Sequence, residues 1–336
     1  MKGNLKILDC TLRDGGYCNN WNFGYHNIKY VIRKLMESKI NLIECGILSD
    51  SLKSSMDNSI FSSVRQVEEY IEEKANGTDF LMLMNYDEYD VDKLPPAEET
   101  ILDGIRVAFH KKNMVDAYEV CEKIKERGYK IYPQPMVTNL YSEEELTELI
   151  HRSNRLQPEA LYIVDSFGAM TESEVERLFA FYNAELDKNI SIGFHSHNNL
   201  MLSLSNSMML VKKETTRPLI VDSSVLGMGR GAGNLHTEVL LSSLKDAGEY
   251  HVKPIYSIID QVVGKIKEEH PWGYSGSYFL SAIHHCHPNY AKFLLERGLL
   301  TVGEMNEIFM KMDKNKKTIY DETYISEIMK CLEGKR

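Results

Sequence analysis

The sequence predicts an α/β fold, a (β/α)8 TIM barrel with a helical C-terminal extension. Eight short apolar segments rich in β-branched and aromatic residues recur between residues 5 and 225, and amphipathic segments with helical spacing separate them. Strands that alternate with helices form parallel βα units, and eight such units close a barrel. An open doubly wound sheet is the alternative, but no G-x-G-x-x-G motif follows the first strand.

The predicted strands run in chain order from LKILDCTL to LIVDSSV. They cover residues 5–12, 41–47, 79–85, 104–109, 130–136, 160–166, 191–197 and 219–225. The clearest helical spacing between them is found at residues 27–39, 114–128, 142–156 and 171–186. Several of these helices begin at a serine or threonine that can cap the first turn, and the glycine of KERG ends the second of them.

The alternation of strands and helices ends after residue 250, where four helices are predicted in succession. They cover residues 252–270, 274–298, 301–312 and 324–334. The polar connector 312–323 is expected to be an exposed loop. We therefore expect residues 1–250 to form the catalytic barrel and residues 251–336 to form a helical extension that packs on it.

The composition argues against several classes of protein. The 336 residues are 43% hydrophobic and 26% charged, which is ordinary for a globular protein. The net charge of −10 argues against a surface that coats nucleic acid or an anionic membrane, and no apolar run approaches the ~20 residues that span a bilayer. The 6 cysteines form no C-x-x-C pair, and the first residues lead directly into a strand, so we expect a cytoplasmic protein without a disulfide framework.

In barrels of this kind, chemistry takes place where the strands end and the βα loops begin. Polar residues stand at several of these positions in the sequence. They are Arg13 and Asp14 after the first strand, Glu44 in the second, Asp165 and Ser166 at the end of the sixth, His195 and His197 in the seventh, and Asn234 after the eighth.

The seventh strand carries the most informative of these elements, the HSH of His195 and His197. Residues two apart on a strand point to the same side, so both imidazoles can converge on one ion. Two imidazoles and a carboxylate form a facial set that suits a divalent metal with open positions. Asp14 is the obvious carboxylate to complete the set, and a structural role for either histidine alone is the alternative.

Three other features have simpler explanations. Asp9 shares a strand face with Arg13 and is expected to support the arginine rather than bind metal. The histidines of HHCHP (284–288) lie in a predicted helix, where neighbours do not face one another, so we expect a structural or surface role. The glycines of GMGRGAG let the backbone approach a substrate or form a flexible loop, since no G-K-S/T follows them as in a P-loop.

Together these motifs resemble those of the DRE-TIM metallolyases, the HMGL-like proteins. The aspartate, arginine and glutamate of the family name correspond to Asp14 and Arg13 in TLRDG and Glu44 in IECG, and GFHSHNN resembles the family's paired metal histidines. The superfamily includes 4-hydroxy-2-oxovalerate aldolases, hydroxymethylglutaryl-CoA lyases, and isopropylmalate and homocitrate synthases. VDSFGAM, VDSSVLGMGRGAGN and GYSGSYFL are most similar to the aldolase branch, and the resemblance covers nearly the whole chain.

The resemblance implies a divalent-metal-dependent aldolase that cleaves or forms a 4-hydroxy-2-oxo acid through a metal-stabilised enolate of the pyruvate type. Asp14, His195 and His197 would bind Mn²⁺ or Mg²⁺, and Asn234 would supply another ligand or order its loop. An acyl-CoA-dependent Claisen condensation, as in the synthases, is the first alternative. A non-catalytic barrel that binds a metal and an oxo acid is the second, although such a barrel would be expected to have lost part of these motifs.

The remaining residues would act on the substrate. Arg13 would stabilise the enolate oxygen, with Glu44 holding its guanidinium through a bidentate pair, and Ser166 would lie near the substrate carboxylate. Tyr274, or alternatively Tyr278, would lie near the reacting carbon. The implied partners are a 2-oxo acid and an aldehyde. An aldehyde dehydrogenase, which some relatives have, and a homo-oligomer of this chain are also expected.

One position departs from the aldolase pattern. The aldolases place a catalytic histidine shortly after RDG, where it removes the substrate's hydroxyl proton, and the matching residue here is Tyr17. A tyrosine with a pKa near ~10 is a poor base at neutral pH unless a metal or a cation lowers its pKa. The base is therefore predicted to be Tyr17 with a lowered pKa, His26 or a water molecule.

Overall fold

Eight parallel strands form the centre of the molecule. The computed structural model describes residues 5–74, 76–213, 215–244, 250–298 and 300–333. The strands are β1 Leu5–Asp9, β2 Leu42–Leu48, β3 Asp79–Asn85, β4 Gly104–Phe109, β5 Lys130–Pro135, β6 Ala160–Asp165, β7 Ser191–Ser196 and β8 Leu219–Ser223. Each of the eight predicted strands is present at its predicted place, because the apolar segments are long enough to be buried on both faces of the sheet.

The strands are arranged as a nearly closed barrel. Their order is β5-β4-β3-β2-β1-β8-β7-β6, and every pair is parallel. At the two ends of this order, the amide of Glu159 before β6 donates a hydrogen bond of 2.9 Å to the carbonyl of Ile131 in β5. A two-residue strand, Ile60–Phe61, also pairs with β2. The predicted fold class, a TIM barrel with a helical C-terminal region, is confirmed.

Helices follow most of the strands. In the barrel they are α1 Gly16–Asn19, α2 Tyr25–Glu37, α3 Met114–Glu126, α4 Glu143–Leu156, α5 Glu172–Glu185, α6 Ser203–Val211 and α7 Thr237–Ser243. Short 3₁₀ helices replace α-helices after β2 and β3, at Val64–Tyr70, Val91–Lys93 and Ala97–Glu99. Within the described residues, no helix is long and apolar enough to cross a membrane.

The C-terminal region is helical, with one break that differs from the prediction. It contains α8 Lys253–Ile258, a π-helical turn Ile259–Val263, α9 Gly264–Glu269, α10 Gly276–Ile283, α11 Pro288–Glu296, α12 Val302–Lys311 and α13 Glu322–Glu333. The single helix expected over 274–298 is wrong, because His285 has a positive φ of 51° and Pro288 begins a new helix.

Two apolar clusters divide the C-terminal region between them. Side chains of the segment 255–272, including Ile258 and Trp272, belong to the large core between the barrel strands and their surrounding helices. Those of α10 to α13 form a second cluster around Tyr290 and Phe309. The division of the chain at residue 250 stays a prediction.

The Asp9 side chain points out of the barrel toward α7, whereas its neighbours Leu8 and Cys10 face the barrel interior, and the expectation that it supports Arg13 is wrong. Its carboxylate accepts hydrogen bonds from the Thr11 amide at 2.9 Å and the Thr237 hydroxyl at 2.8 Å. Burial, which these bonds only partly offset, raises the pKa of Asp9 to about 6. The carboxyl therefore fastens β1 to α7 and does not contact the arginine.

The raised pKa of Asp9 makes its contribution to stability depend on pH. Because the folded state keeps this proton up to about pH 6 and the unfolded state loses it near 3.8, stability falls as pH rises through this window. The Asp9→Asn variant has no such titration, so its free energy of unfolding relative to the wild type should rise by about 2 kcal/mol between pH 4 and 7.5. Urea unfolding in EDTA at both pH values measures the difference, and a difference independent of pH would contradict it.

Candidate active site

Three of the predicted metal ligands lie together at the carboxyl ends of the strands. Asp14 follows β1, His195 is in β7 and His197 comes directly after it. All three side chains are buried, and one potential ligand atom from each lies within 4.8 Å of the others. The chain folds this way because a period of two puts both imidazoles on one side of β7, and barrel closure brings β1 close to it.

Each imidazole is oriented by an acceptor at its other nitrogen. Nδ1 of His195 lies 2.9 Å from a carboxylate oxygen of Asp222, and Nδ1 of His197 lies 3.1 Å from the carbonyl of Arg230. An acceptor at Nδ1 places the ring proton there and leaves Nε2 free to bind a cation, as in many metal sites. Burial lowers the pKa of His197 to about 3, so this ring is neutral and able to act as a ligand.

Asn234 is placed beside the same three residues. Its Nδ2 donates to Asp14 Oδ2 at 2.8 Å and to the Met228 carbonyl at 3.0 Å, whereas its Oδ1 is buried without a hydrogen-bond partner. A buried carbonyl oxygen without a donor calls for an explanation, and a cation would satisfy it. Its role as a fourth ligand stays a prediction.

The glycine-rich loop approaches this centre closely. A Cβ atom on Gly229 would lie 2.3 Å from Asn234 Nδ2 and 2.7 Å from Asp14 Oδ2. Only glycine therefore fits at this point, and of the two roles expected for the loop's glycines, close backbone approach is the one found here.

Arg13 is held between two carboxylates. Its Nε donates to Glu44 at 2.6 Å, and its Nη1 donates to Asp14 at 2.5 Å. Burial opposes ionisation of Asp14, but Arg13, followed by His197 and His195, outweighs it and lowers the pKa of this carboxyl. The predicted pair of Arg13 and Glu44 is present, although it uses one oxygen of Glu44 because the other oxygen serves Arg106.

Arg106 in β4 extends this network across the barrel interior and was missed by sequence reasoning. Its Nη1 donates to Glu44 at 2.9 Å, and its Nη2 donates to Asp222 at 2.5 Å and to Gln134 at 3.0 Å. Since Asp222 also contacts His195, the alternating charges connect the two sides of the site. The signal in the sequence was an arginine in the middle of GIRVAF and an aspartate in LIVDS, both inside otherwise apolar strands.

The charges of this network leave it one cation short. Without counting the histidines, the carboxylates of Asp14, Glu44 and Asp222 face the guanidiniums of Arg13 and Arg106, and all five side chains are buried. Buried charges are stable when they are paired or coordinate a metal. The residues present therefore fit a divalent cation held by Asp14, His195 and His197.

A cavity of about 330 Å³ is lined in part by Arg230, whose carbonyl contacts the metal-binding residue His197. Its lining includes Tyr17, Ser166, Arg230, His110 and His287. The Ser166 hydroxyl accepts a hydrogen bond from the amide of Val137 at 3.0 Å.

The Tyr17 ring packs edge-on against Trp21. Burial, only partly offset by Arg230 and Arg13, raises the pKa of Tyr17 instead of lowering it. Asp165, next to Ser166, is buried and accepts from the amides of its own loop.

Other tyrosine and histidine candidates lie elsewhere. Tyr274 is 57% exposed and does not line the cavity, so its role stays a prediction. Tyr278 packs against the cluster of α10 to α13. His26 is exposed on α2 and lines a different cavity with Tyr30 and Arg33, so the fold does not bring it to the metal-binding residues.

The C-terminal region contributes to the cavity in two places that the sequence did not indicate. His287 lies in the turn between α10 and α11, is partly buried, and has its Nε2 3.4 Å from Nη1 of Arg230. Ile319 of the connector 312–323 also lines the cavity, and the carbonyl of Lys317 accepts from the His287 amide at 2.8 Å. Of the structural or surface role expected for the HHCHP histidines, the surface alternative is wrong for His287, whose Nδ1 caps α11 by accepting from the Asn289 amide, and the connector is more than an exposed loop.

Comparisons with known proteins agree with this architecture. The HMGL-like family model matches residues 4–262. A 4-hydroxy-2-oxovalerate aldolase from Pelotomaculum thermopropionicum is 29% identical, over 76% of this chain and 74% of its own. Another, from Thermomicrobium roseum, is 26% identical over 96% of this chain and 90% of its own.

A solved structure shares the fold as well as part of the sequence. The N-terminal domain of a candidate aldolase from Bacteroides vulgatus superposes with a TM-score of 0.76 at 26% identity, covering 86% of this chain and 96% of that one. The predicted enzyme class, a carbon–carbon lyase, is confirmed by the family and by the relatives that bear the name aldolase. The barrel, its Arg-Asp-Glu set and its paired histidines thus make this chain a member of the HMGL-like family.

Proposed function

We propose that this protein is a divalent-metal-dependent aldolase that cleaves or forms a 4-hydroxy-2-oxo acid, with pyruvate as the 2-oxo acid. The observation that carries the proposal is the buried set of Asp14, His195 and His197 with Arg13 alongside, next to a cavity large enough for small substrates. The names of the aldolase relatives support the same reaction.

The metal would be Mn²⁺ or Mg²⁺, held by Asp14, His195 and His197, with Asn234 Oδ1 as the further ligand. When bound, such an ion supplies a Lewis acid for the oxygens of a 2-oxo acid. Carboxylate, imidazole and amide oxygen ligands are compatible with either ion, with imidazole favouring Mn²⁺ over Mg²⁺.

Arg13 supplies fixed positive charge where the enolate oxygen develops. Glu44 and Asp14 hold its Nε and Nη1, while Nη2 has no hydrogen-bond partner among the residues that the structure describes. A guanidinium oriented before the reaction stabilises developing negative charge without reorganisation. Glu44 is a positioning residue in this scheme, and Ser166 in the cavity wall would bind the substrate carboxylate.

Tyr17 acts as a hydrogen-bond donor rather than a base, since burial raises its pKa. Two histidines of the cavity wall are candidates for accepting the proton of the aldol hydroxyl. Burial lowers the pKa of His110, helped by Lys112 and Arg230, and burial also lowers the pKa of His287. Both rings are therefore neutral near pH 7. Because Nδ1 of His287 already accepts from the Asn289 amide at 3.2 Å, His110 is the better placed of the two to accept a proton.

Four finer predictions belong to this proposal. They are the role of Tyr274 near the reacting carbon, the cytoplasmic location, the homo-oligomer and the aldehyde dehydrogenase partner. None of them changes the test of the reaction, which needs only the protein, a metal and a 2-oxo acid.

Exchange of the pyruvate methyl protons in D₂O tests the proposal. The assay is run separately with Mn²⁺ and with Mg²⁺, since Mg²⁺ keeps the NMR lines narrow. The wild type should exchange the methyl protons without any CoA ester, and EDTA should stop the exchange. Exchange that begins only when an acyl-CoA is added would favour the Claisen condensation. Tight Mn²⁺ binding with no exchange and no turnover of any oxo acid would contradict an enzyme and favour the binding barrel.

A further inference from the structure

Arg230, in the glycine-rich loop, has a guanidinium without an acidic partner. Its Nη1 lies 3.4 Å from His287 Nε2, its Nε is buried without a hydrogen-bond partner, and no described carboxylate forms an ion pair with it. The neighbouring Arg13 and Arg106, by contrast, each bind two carboxylates. A guanidinium that is partly desolvated and not neutralised is suited to bind an anion, because its fork of donors matches carboxylate and phosphate oxygens.

The position of Arg230 relative to the metal-binding residues is fixed from two sides. Its carbonyl accepts the hydrogen bond from Nδ1 of His197 at 3.1 Å, which ties its backbone to the site. Its guanidinium lies over the ring of Tyr17, with Cζ 5.4 Å from the ring centroid. Cation–π stacking uses the face of the guanidinium and leaves its edge available for a ligand.

The rest of the cavity wall fits an anion near Arg230. Lys112 and His110 line the same cavity, and the pKa of His110 is lowered by burial, then by Lys112 and Arg230, which shows that these groups are close together. Asp87 and Glu88 also line the cavity, but neither forms an ion pair with Arg230 in the described structure, and Asp87 is exposed. The recorded side-chain neighbours of the Arg230 guanidinium are thus His287 and Tyr17, and the two carboxylates of the lining do not neutralise it.

We propose that the aldehyde substrate carries an anionic group, a carboxylate or a phosphate, which Arg230 binds. This inference rests on the proposed aldolase function and names the class of its second substrate. The 2-oxo acid already has Arg13 and Ser166 as its partners, so Arg230 is left for the acceptor. The Arg230 carbonyl contacts His197 and its guanidinium lies over Tyr17, so an anion bound to the guanidinium edge lies about one arginine side-chain length from the metal-binding residues, a span that suits a short aldehyde.

Paired aldehydes test the proposal in the wild-type enzyme with Mn²⁺ and saturating pyruvate. The pairs are succinic semialdehyde with butanal, and glyceraldehyde 3-phosphate with glyceraldehyde. We expect kcat/KM to be about 10–150-fold higher for the anionic member of at least one pair, as for other hydrogen bonds to charged groups. The pair that shows the larger ratio distinguishes a carboxylate from a phosphate.

The Arg230→Gln variant should reduce this ratio to near one, and Arg33→Gln on the exposed face of α2 should keep it. Equal kcat/KM within both pairs in the wild type would overturn the inference, as would a ratio unchanged by Arg230→Gln. It would also be overturned if the KM for pyruvate in methyl exchange rose as much as the aldehyde kcat/KM fell. Wild-type exchange without a charge preference refutes this inference alone, whereas absence of exchange refutes the aldolase proposal with it.

Discussion

Replacing Asp14 with asparagine should lower kcat/KM for aldol cleavage by about 10²–10⁴ and weaken Mn²⁺ binding. The carboxylate is the one charged ligand of the proposed set, and metal catalysis is worth several kcal/mol of charge stabilisation. The amide keeps the size of the side chain, but its Nδ2 would face either Arg13 Nη1 or Asn234 Nδ2, both of which are donors. Methyl exchange with pyruvate and a Mn²⁺ titration followed by EPR measure the two effects.

Asp116→Asn is the matched control, because it makes the same chemical change on the exposed first turn of α3. This variant should bind Mn²⁺ and exchange the methyl protons of pyruvate as the wild type does. Asp222→Asn, which changes the partner of His195 Nδ1, should give an intermediate result, about 10–100-fold weaker metal binding. Wild-type Mn²⁺ affinity in Asp14→Asn would remove Asp14 from the ligand set.

The barrel and the metal-binding residues could be predicted because both depend on local pattern. Apolar segments of strand length alternating with helices define a βα barrel, and strand ends are the places where a barrel puts its polar side chains. Asp14, His195 and His197 stand at such ends, so their proximity follows from the fold without knowledge of side-chain packing. The expected role of each residue came from the family resemblance.

The interior network and the far wall of the cavity could not be predicted in the same way. Arg106 lies inside a strand, and its partners become visible only when β2, β4 and β8 are placed around the barrel. His287 reaches the cavity through a break between α10 and α11, where Pro288 is the only local signal and the positive φ of His285 has none in the sequence. Contacts between residues distant in sequence decide both cases.

Replacing Arg106 with methionine should cost about 3–5 kcal/mol of folding stability, because it leaves Glu44 and Asp222 buried without their common partner. It should also lower kcat, since Glu44 positions Arg13 and Asp222 positions His195.

The loss of stability should depend on pH. Burial opposes ionisation of Asp222, but Arg106, followed by His195, lowers the pKa of this carboxyl. The wild type therefore keeps the stability that this ion pair contributes above pH 3.8 and loses it as pH falls further. The variant lacks this arginine, so the buried carboxyl of Asp222 must take up a proton for the protein to fold, which is easier at pH 5 than at pH 7.5. The loss of folding stability relative to the wild type should therefore be smaller at pH 5 than at pH 7.5.

Arg217→Met separates this effect from the loss of any buried arginine. Arg217 is equally enclosed, but it donates to main-chain carbonyls such as those of Ile190 and Leu186, at the opposite end of the strands from Asp14. Its removal should destabilise the protein without leaving a carboxylate unpaired, so the loss should be the same at pH 5 and 7.5, and kcat of the folded enzyme should remain. Urea unfolding in EDTA and methyl exchange with Mn²⁺ give the two readouts. If Arg106→Met matched Arg217→Met in both, the network would hold the barrel together but would not orient Arg13 and His195 for the reaction.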